Sequence, residues 1–411
     1  MYARKITRNI QAALADTPVV FLRGARQTGK STLVQAIAKD AYPARYLTLD
    51  NAGVLASASG DPAGFIAGLE KPVVLDEAQR LESLFLAIKE DVDQHRKPGR
   101  YLLTGSADVL ALPAIANALV GRMEVLTLWP LCISEITGTG ENIIDAVFGP
   151  NLPSGPVPSP NLSLSRAMTR GGFPEPFQRD SSPRRNAWFE SYVTTLMDRD
   201  IRSLAQIQDL AAVPRLLKLL AARTSTLSNQ SELSRSTGIP NSTLIRYIAL
   251  LKALFLIQEL PAWSSNLGKR LVKAPKYYMV DTGLACHLLD TDERKVLHQE
   301  ELSGRLFENF VVLELFKHAA WSEKRAKLFH FRSQTGQEVD VVMESGRDVV
   351  GMEIKLSATP SPRDFAGLEM LRQHLGKHFI RGILIYTGRE IVPFGENLHA
   401  VPLSALIPGL S

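Results

Sequence analysis

The sequence predicts an α/β fold: a parallel sheet with helices at the amino-terminal end, a mostly helical middle, and a second, smaller α/β unit at the carboxyl-terminal end. Three observations predict it. The apolar run Val19-Val20-Phe21-Leu22-Arg23 leads into Gly24-Ala25-Arg26-Gln27-Thr28-Gly29-Lys30-Ser31-Thr32, and Leu33 to Ala38 continues as a helix. A second apolar run, Pro72-Val73-Val74-Leu75, ends in Asp76-Glu77. Far downstream, Glu338-Val339-Asp340-Val341-Val342-Met343 alternates acidic and apolar residues, the period of a strand with one face buried.

The first run has the order that a phosphate cradle requires. In a G-x-x-x-x-G-K-S loop between strand and helix, successive backbone N–H groups wrap an anion at the helix N-terminus. Lys30 is placed to neutralise the β- and γ-phosphates of ATP, and Ser31 to offer its hydroxyl to Mg²⁺. Gly24 and Gly29 stand where the chain must take turn angles that a Cβ resists. Residues Gly24, Ala25, Arg26, Gln27, Thr28, Gly29, Lys30, Ser31 and Thr32 are therefore the expected ATP contacts. At the tip of the second strand, Asp76 is expected to join Ser31 in holding Mg²⁺, and Glu77 to polarise the water that attacks the γ-phosphate.

Further strands are predicted at Arg45–Leu49, Arg100–Thr104 and Met123–Leu128, with helical patterns between them, as in Ser83 to Glu90. Alternation of this kind makes a parallel sheet covered on both faces. Thr104, at the end of its strand, is either a sensor of the γ-phosphate or part of an ordinary strand-end turn. Arg122 is either an arginine finger supplied in trans to a neighbouring subunit or a surface residue at a helix end.

Composition narrows the class. The chain has 411 residues, enough for roughly two to four domains. Its 45% hydrophobic content suits globular cores. No apolar stretch is long enough to cross a membrane. The basic start, Met1 to Arg8, is followed by no apolar signal core, so a cytoplasmic protein is expected. Two cysteines, Cys132 and Cys286, make neither a disulfide framework nor a zinc site. A net charge of +5 is compatible with a nucleic-acid partner without requiring one.

From Thr137 to about Ser163 Gly, Pro, Ser and Asn cluster, which reads as an insertion or linker. Helical patterns follow. Leu216 to Leu220 lies on one helix and Ser231 to Ser236 on a second, capped by Ser228 or Asn229. After the turn Thr237-Gly238-Ile239-Pro240, Asn241 caps a third helix with the apolar stripe Leu244, Ile248, Leu251. Strands at Leu256–Leu260 and Lys276–Val280 complete a helix–turn–helix with a two-stranded wing. Arg246 and Tyr247 are expected to face outward on the third helix, and Lys269, Arg270, Lys273 and Lys276 to decorate the wing, where cations can follow DNA phosphates.

The last segment holds a second chemical pattern. Glu308 has Val311, Val312 and Leu315 three, four and seven residues on, so it lies on an apolar stripe of its helix. If Ser345-Gly346-Arg347-Asp348 is a hairpin loop, Asp340 falls opposite Glu353. A divalent cation between the two would relieve their repulsion and activate a water for phosphodiester attack, with Lys355 stabilising the developing charge. Glu308 is the third expected ligand.

With these residues in view, the chain resembles known families. Gly24–Thr32, Leu75-Asp76-Glu77 and Thr104 resemble the AAA-type P-loop ATPases. Glu308, Asp340 and Glu353-Ile354-Lys355 resemble the PD-(D/E)xK nuclease-like fold. The whole chain resembles a prokaryotic family that joins the two through a winged helix, and it shares the phrases Gly171-Gly172-Phe173-Pro174-Glu175, Asn266 to Lys276 and Asp281-Thr282-Gly283-Leu284. The Pro- and Gly-rich stretch around Gly149–Pro160 departs from the family pattern.

The resemblance implies an ATPase core over residues 1–136, an insertion and helical lid over 137–208, a winged helix over 209–276 and a nuclease-like domain over 277–411. It implies ATP binding and hydrolysis. The expectation is a Mg²⁺-dependent ATPase acting on DNA, with branched or broken duplex among the candidate substrates, as a homo-oligomer for which a ring is one arrangement, with or without strand cleavage by Asp340, Glu353 and Lys355. The alternative is a regulatory ATPase whose later domains only bind DNA or protein partners.

Overall fold

The computed structural model describes residues 2–106, 119–152, 162–201, 211–264, 273–333 and 335–410. It divides the chain into two compact units, one of residues 1–130 with 252–255, the other of 131–251 with 256–411. Among the described residues no helix is long and apolar enough to cross a membrane.

The first unit is built on a parallel sheet of β1 (Val19–Arg23), β2 (Arg45–Thr48), β3 (Val73–Asp76), β4 (Tyr101–Gly105) and β5 (Met123–Thr127), in the order β2-β3-β4-β1-β5. The expected strands recur within a residue or so at each end. Helices α1 (Thr7–Asp16), α2 (Lys30–Lys39), α3 (Ala52–Gly60), α4 (Pro62–Ala67) and α5 (Ser83–Gln94) alternate with them. Central strands covered on both faces must be apolar on both, and β3 and β4 are buried at every position. Phe21, Leu75, Tyr101 and Leu103 pack with Ile66, Phe85 and Ile88 in one core. The crossover order places β4 between β1 and β3, so the tip of β4 separates the loop after β1 from the acids after β3.

In the second unit, helices Ala212–Ala222, Gln230–Thr237 and Asn241–Ala253 precede an antiparallel pair, β6 (Ile257–Leu260) and β7 (Lys276–Met279). Asn229 caps the second of these helices, accepting from the Glu232 N–H at 3.1 Å. Gly238 ends it with a left-handed φ of 72°. The third helix differs from expectation at two points. Its first intrahelical acceptor is the Pro240 carbonyl, which takes the Leu244 N–H, so Asn241 is the first helical residue rather than the cap. Tyr247 is buried, because it extends the Leu244, Ile248, Leu251 stripe to a wider inward face, while Arg246 stays exposed.

The carboxyl-terminal sheet contains β8 (Lys327–Arg332), β9 (Glu338–Ser345), β10 (Asp348–Ile354), β11 (Phe379–Tyr386), β12 (Val392–Gly395) and β13 (Leu398–Pro402), in the order β12-β13-β11-β10-β9-β8. β9 and β10 form the expected hairpin with Asp348 opposite Ser345 and Met352 opposite Val341. The helix Glu300–Ala319 is buried along much of its length, hydrophilic groups included.

Two of the shared phrases prove to be packing partners. Gly171 has a left-handed φ of 69°, and a Cβ on Gly172 would sit 2.3 Å from the Leu131 carbonyl oxygen. The Gly172 N–H donates to Asp281 Oδ2 at 2.6 Å, and the other oxygen of Asp281 caps the helix Thr282–Leu288 through the Leu284 N–H. Burial raises the Asp281 carboxyl pKa against the pull of these N–H donors.

Candidate functional site

The chain leaves β1 at Arg23, turns through Gly24–Gly29 and enters α2 at Lys30. The turn demands left-handed angles at Gln27 (φ 64°) and Gly29 (φ 92°). Gly24 is required by contact: a Cβ there would lie 2.2 Å from the Leu128 carbonyl oxygen. The Lys30 ammonium lies across the loop and donates to the carbonyls of Gly24 (3.0 Å) and Ala25 (2.9 Å). Thr28 braces the turn from its own hydroxyl to the Ala25 carbonyl. Arg4 holds it from outside, donating to the carbonyls of Thr28 (2.7 Å) and Trp129 (2.6 Å).

Asp76, at the tip of β3 and nearly buried, collects three hydroxyls. Ser31 donates to it at 2.9–3.0 Å, Tyr46 at 2.7 Å, and Thr104 through a short hydrogen bond. Burial first, and then the hydrogen bond to Asp76, pushes the Tyr46 phenol up to about 12. Thr104 also accepts from the Glu77 N–H at 3.1 Å, so it ties both acids to the end of β4. Ser31 and Asp76 thus present a hydroxyl and a carboxylate to one point, an oxygen donor set that suits Mg²⁺. Glu77 has a left-handed φ of 57°, and its Oε2 accepts from Gln79 Nε2 (2.6 Å) and Ser106 Oγ (3.2 Å). Tyr46, Gln79, Ser106 and Arg4 escape sequence reading. The last residue of each of the runs Asp76–Gln79 and Thr104–Ser106, Gln79 and Ser106, carried the only local signal.

Arg122 sits elsewhere. It immediately precedes β5, and its carbonyl accepts from the Val19 N–H at the start of β1, so it lies at the amino-terminal end of the strands, opposite the end that carries Lys30. Its guanidinium pairs closely with Asp93 and donates to the Val120 carbonyl at 3.0 Å, and the bond from Arg122 holds the Asp93 carboxyl below the usual range. It therefore cannot serve the phosphate loop of its own subunit.

The carboxyl-terminal constellation is assembled, but differently from expectation. The β9–β10 register, continued by one pair, sets Asp340 opposite Glu353. Asp340 Oδ2 accepts the Ile354 N–H at 3.0 Å, and Lys355 Nζ lies 2.8 Å from Glu353 Oε1. The expected wing cation Lys276 points inward instead. Its Nζ is 2.9 Å from Glu308 Oε1 and 3.3 Å from Asp340 Oδ1, because it opens β7, whose four residues are all buried. Tyr278, two residues on and so on the same face, donates to Glu308 Oε1 at 2.7 Å. Glu308 is thus the counter-ion of Lys276 in this structure. Burial and the neighbouring Asp340 charge raise the Glu308 carboxyl to about 7 and that of Glu353 to about 8. The same pocket buries His330, whose Nε2–H donates to the Ala274 carbonyl; burial, with the Lys276 charge adding to it, lowers this imidazole to about 4.

Of the expected DNA contacts, Arg246 and Lys273 are exposed, whereas Lys269 and Arg270 lie outside the described residues. Among the described residues, one trio brings metal-type ligand atoms within 4.8 Å of one another, Cys132, Glu314 and His318. Its Glu314 oxygens are already committed to the Ile133 N–H (2.9 Å) and Lys317 Nζ (2.8 Å), which makes the group a structural clasp.

Residues 16–137 match an AAA domain, and the first unit is an AAA-type P-loop ATPase domain. Residues 161–295 and 303–406 match two domains of unknown function, DUF8612 and DUF4143. Among solved structures, a Thermotoga maritima RuvB Holliday junction branch migration motor has a TM-score of 0.30 at 17% identity, over 63% of this chain and 90% of that one. AMPPCP-bound DnaA from Aquifex aeolicus has a TM-score of 0.29 at 14% identity, over 60% and 86%. An uncharacterized protein of Haemophilus influenzae is 21% identical over 68% of this chain and 65% of its own length. The uncharacterized proteins Rv2008c of Mycobacterium tuberculosis and Mb2031c of Mycobacterium bovis are each 30% identical over 404 residues, 98% of this chain and 84% of theirs. That likeness runs through the phosphate loop, the middle helices and the carboxyl-terminal sheet alike, and the chain belongs to the family of these mycobacterial proteins.

Proposed function

We propose that the chain is a Mg²⁺-dependent ATP hydrolase that engages DNA. The observation that carries the first half is the single network joining Ser31, Asp76, Thr104 and Glu77 beside the Lys30 loop. In this reading the loop amides and Lys30 bind the phosphates, and Ser31 and Asp76 hold the ion. Glu77 orients the attacking water, and Thr104 keeps the two acids in register. Mg²⁺, when bound with ATP, neutralises charge on the β- and γ-oxygens. Arg122 completes the site of a neighbour in a homo-oligomer, since it lies at the end of the strands away from its own Lys30. The working organisation is the four segments 1–136, 137–208, 209–276 and 277–411: ATPase core, lid region, winged helix and nuclease-like domain.

The second half rests on the three helices and the β6–β7 pair, which have the element order of a winged helix, and on exposed Arg246 and Lys273. Neutralised phosphates release counter-ions, so affinity falls steeply with salt. The test is duplex, forked and four-way DNA titrated at several salt concentrations. The Arg246→Ala/Lys273→Ala variant is expected to bind all of them more weakly and to flatten the log–log salt slope by roughly 1–2. Absence of DNA binding by the native chain at low salt would instead favour a regulatory ATPase with protein partners.

A further inference from the structure

The nuclease-like resemblance implies a divalent cation among Glu308, Asp340 and Glu353. The positions of two lysines argue against it. Lys276 is almost fully buried, and a buried ammonium needs carboxylate partners. It takes them from the same set: Glu308 Oε1 at 2.9 Å and Asp340 Oδ1 at 3.3 Å. On the other side, Lys355 Nζ lies 2.8 Å from Glu353 Oε1. A divalent ion bridging Asp340 and Glu353 would therefore meet the buried Lys276 ammonium on one ligand and the half-exposed Lys355 ammonium on the other, and the repulsion is strongest at Lys276, which water does not screen.

The oxygens tell the same story. Glu308 Oε1 is shared by Lys276 and Tyr278, and Asp340 Oδ2 is held by the Ile354 N–H. Among the described residues, Glu353 Oε2 is the one oxygen of Asp340 and Glu353 with no partner. One free carboxylate oxygen beside two ammonium groups is a poor divalent site, since Mg²⁺ and Mn²⁺ favour net negative oxygen cages.

We infer that Lys276 is the resident cation of this carboxylate cluster, standing where the fold family places a divalent metal, and that the native site is closed to Mg²⁺ and Mn²⁺. It follows that Asp340, Glu353 and Lys355 do not form a metal-dependent cleaving centre in this chain. Lys276 also opens the wing strand, so its charge anchors β7 to the helix Glu300–Ala319 and to β9.

The experiment is Mn²⁺ binding to the full-length, nucleotide-free chain, read by the electron paramagnetic resonance of free Mn²⁺. Asp340→Asn identifies the share of binding that belongs to this site rather than to Ser31 and Asp76. The native chain is expected to show no Asp340-dependent binding up to about 1 mM Mn²⁺. Lys276→Met, which keeps length and apolar bulk but removes the charge, is expected to gain Asp340-dependent binding at least about tenfold tighter. Asp340-dependent binding by the native chain would overturn the inference. So would a folded Lys276→Met protein that gains none. Should Lys276→Met fail to fold, the native and Asp340→Asn titrations decide alone: identical curves support the inference, and a difference refutes it.

Discussion

Glu77→Gln is expected to slow ATP hydrolysis by about 10²–10⁴-fold while leaving ATP bound, since positioned proton acceptors contribute factors of that size. The substitution keeps the shape of the side chain, lets its amide oxygen accept from Gln79 and Ser106, and replaces the basic carboxylate with a neutral amide. The phosphate contacts assigned to Lys30 and the loop amides are untouched, so nucleotide affinity is expected to stay within a few-fold. Single-turnover hydrolysis beside equilibrium binding of a fluorescent ATP analogue separates the two quantities. Full turnover by this variant would move the water-activating role to another residue, with Asp76, the neighbour in sequence, the first to test.

The second large effect is on stability. Glu314 is fully buried on the helix Glu300–Ala319, with one oxygen on the Ile133 N–H and the other on Lys317. Lys317 also donates to the Leu131 carbonyl at 3.0 Å. The pair thus ties residues 131–133 to the long helix. Burial alone would lower the Lys317 pKa, but the Glu314 charge beside it carries the net shift upward, so the ammonium form is the folded one. Glu314→Ala leaves that ammonium buried without its carboxylate and is expected to cost about 3–5 kcal/mol. Glu314→Ala/Lys317→Met should recover much of the loss, because it removes both charges. Urea unfolding followed by circular dichroism reads both. A loss under about 1 kcal/mol for Glu314→Ala would mean that water reaches Lys317.

How much of this was legible depends on the range of each interaction. The phosphate loop, Asp76 and Glu77 were readable because strand, turn and helix signals lie next to the residues that carry the chemistry. The β9–β10 register was readable for the same reason, since the hairpin turn and the two-residue period of its strands fix it locally. Lys276 was misread as a surface cation because nothing within its own strand shows that Glu308 and Asp340 converge on it from distant segments. Tyr247 was misread because the width of a helix's buried face is set by what packs on it. Tyr46 on β2 and Ser106 just past β4 carry no signal of their own until the order β2-β3-β4-β1-β5 brings them beside the acids. The shared glycine phrases were visible as phrases, but their reason, close backbone contact of Gly172 with Leu131, exists only in three dimensions.

The central claim is that the loop before α2 grips the phosphates of ATP through its amides and Lys30. Calorimetric titration of the native chain and of Lys30→Ala with ATP and Mg²⁺ tests it most directly. One ATP bound per native chain, with affinity lowered about 10²-fold or more in the variant, is the expected result. Equal ATP affinity in the two proteins would contradict the claim.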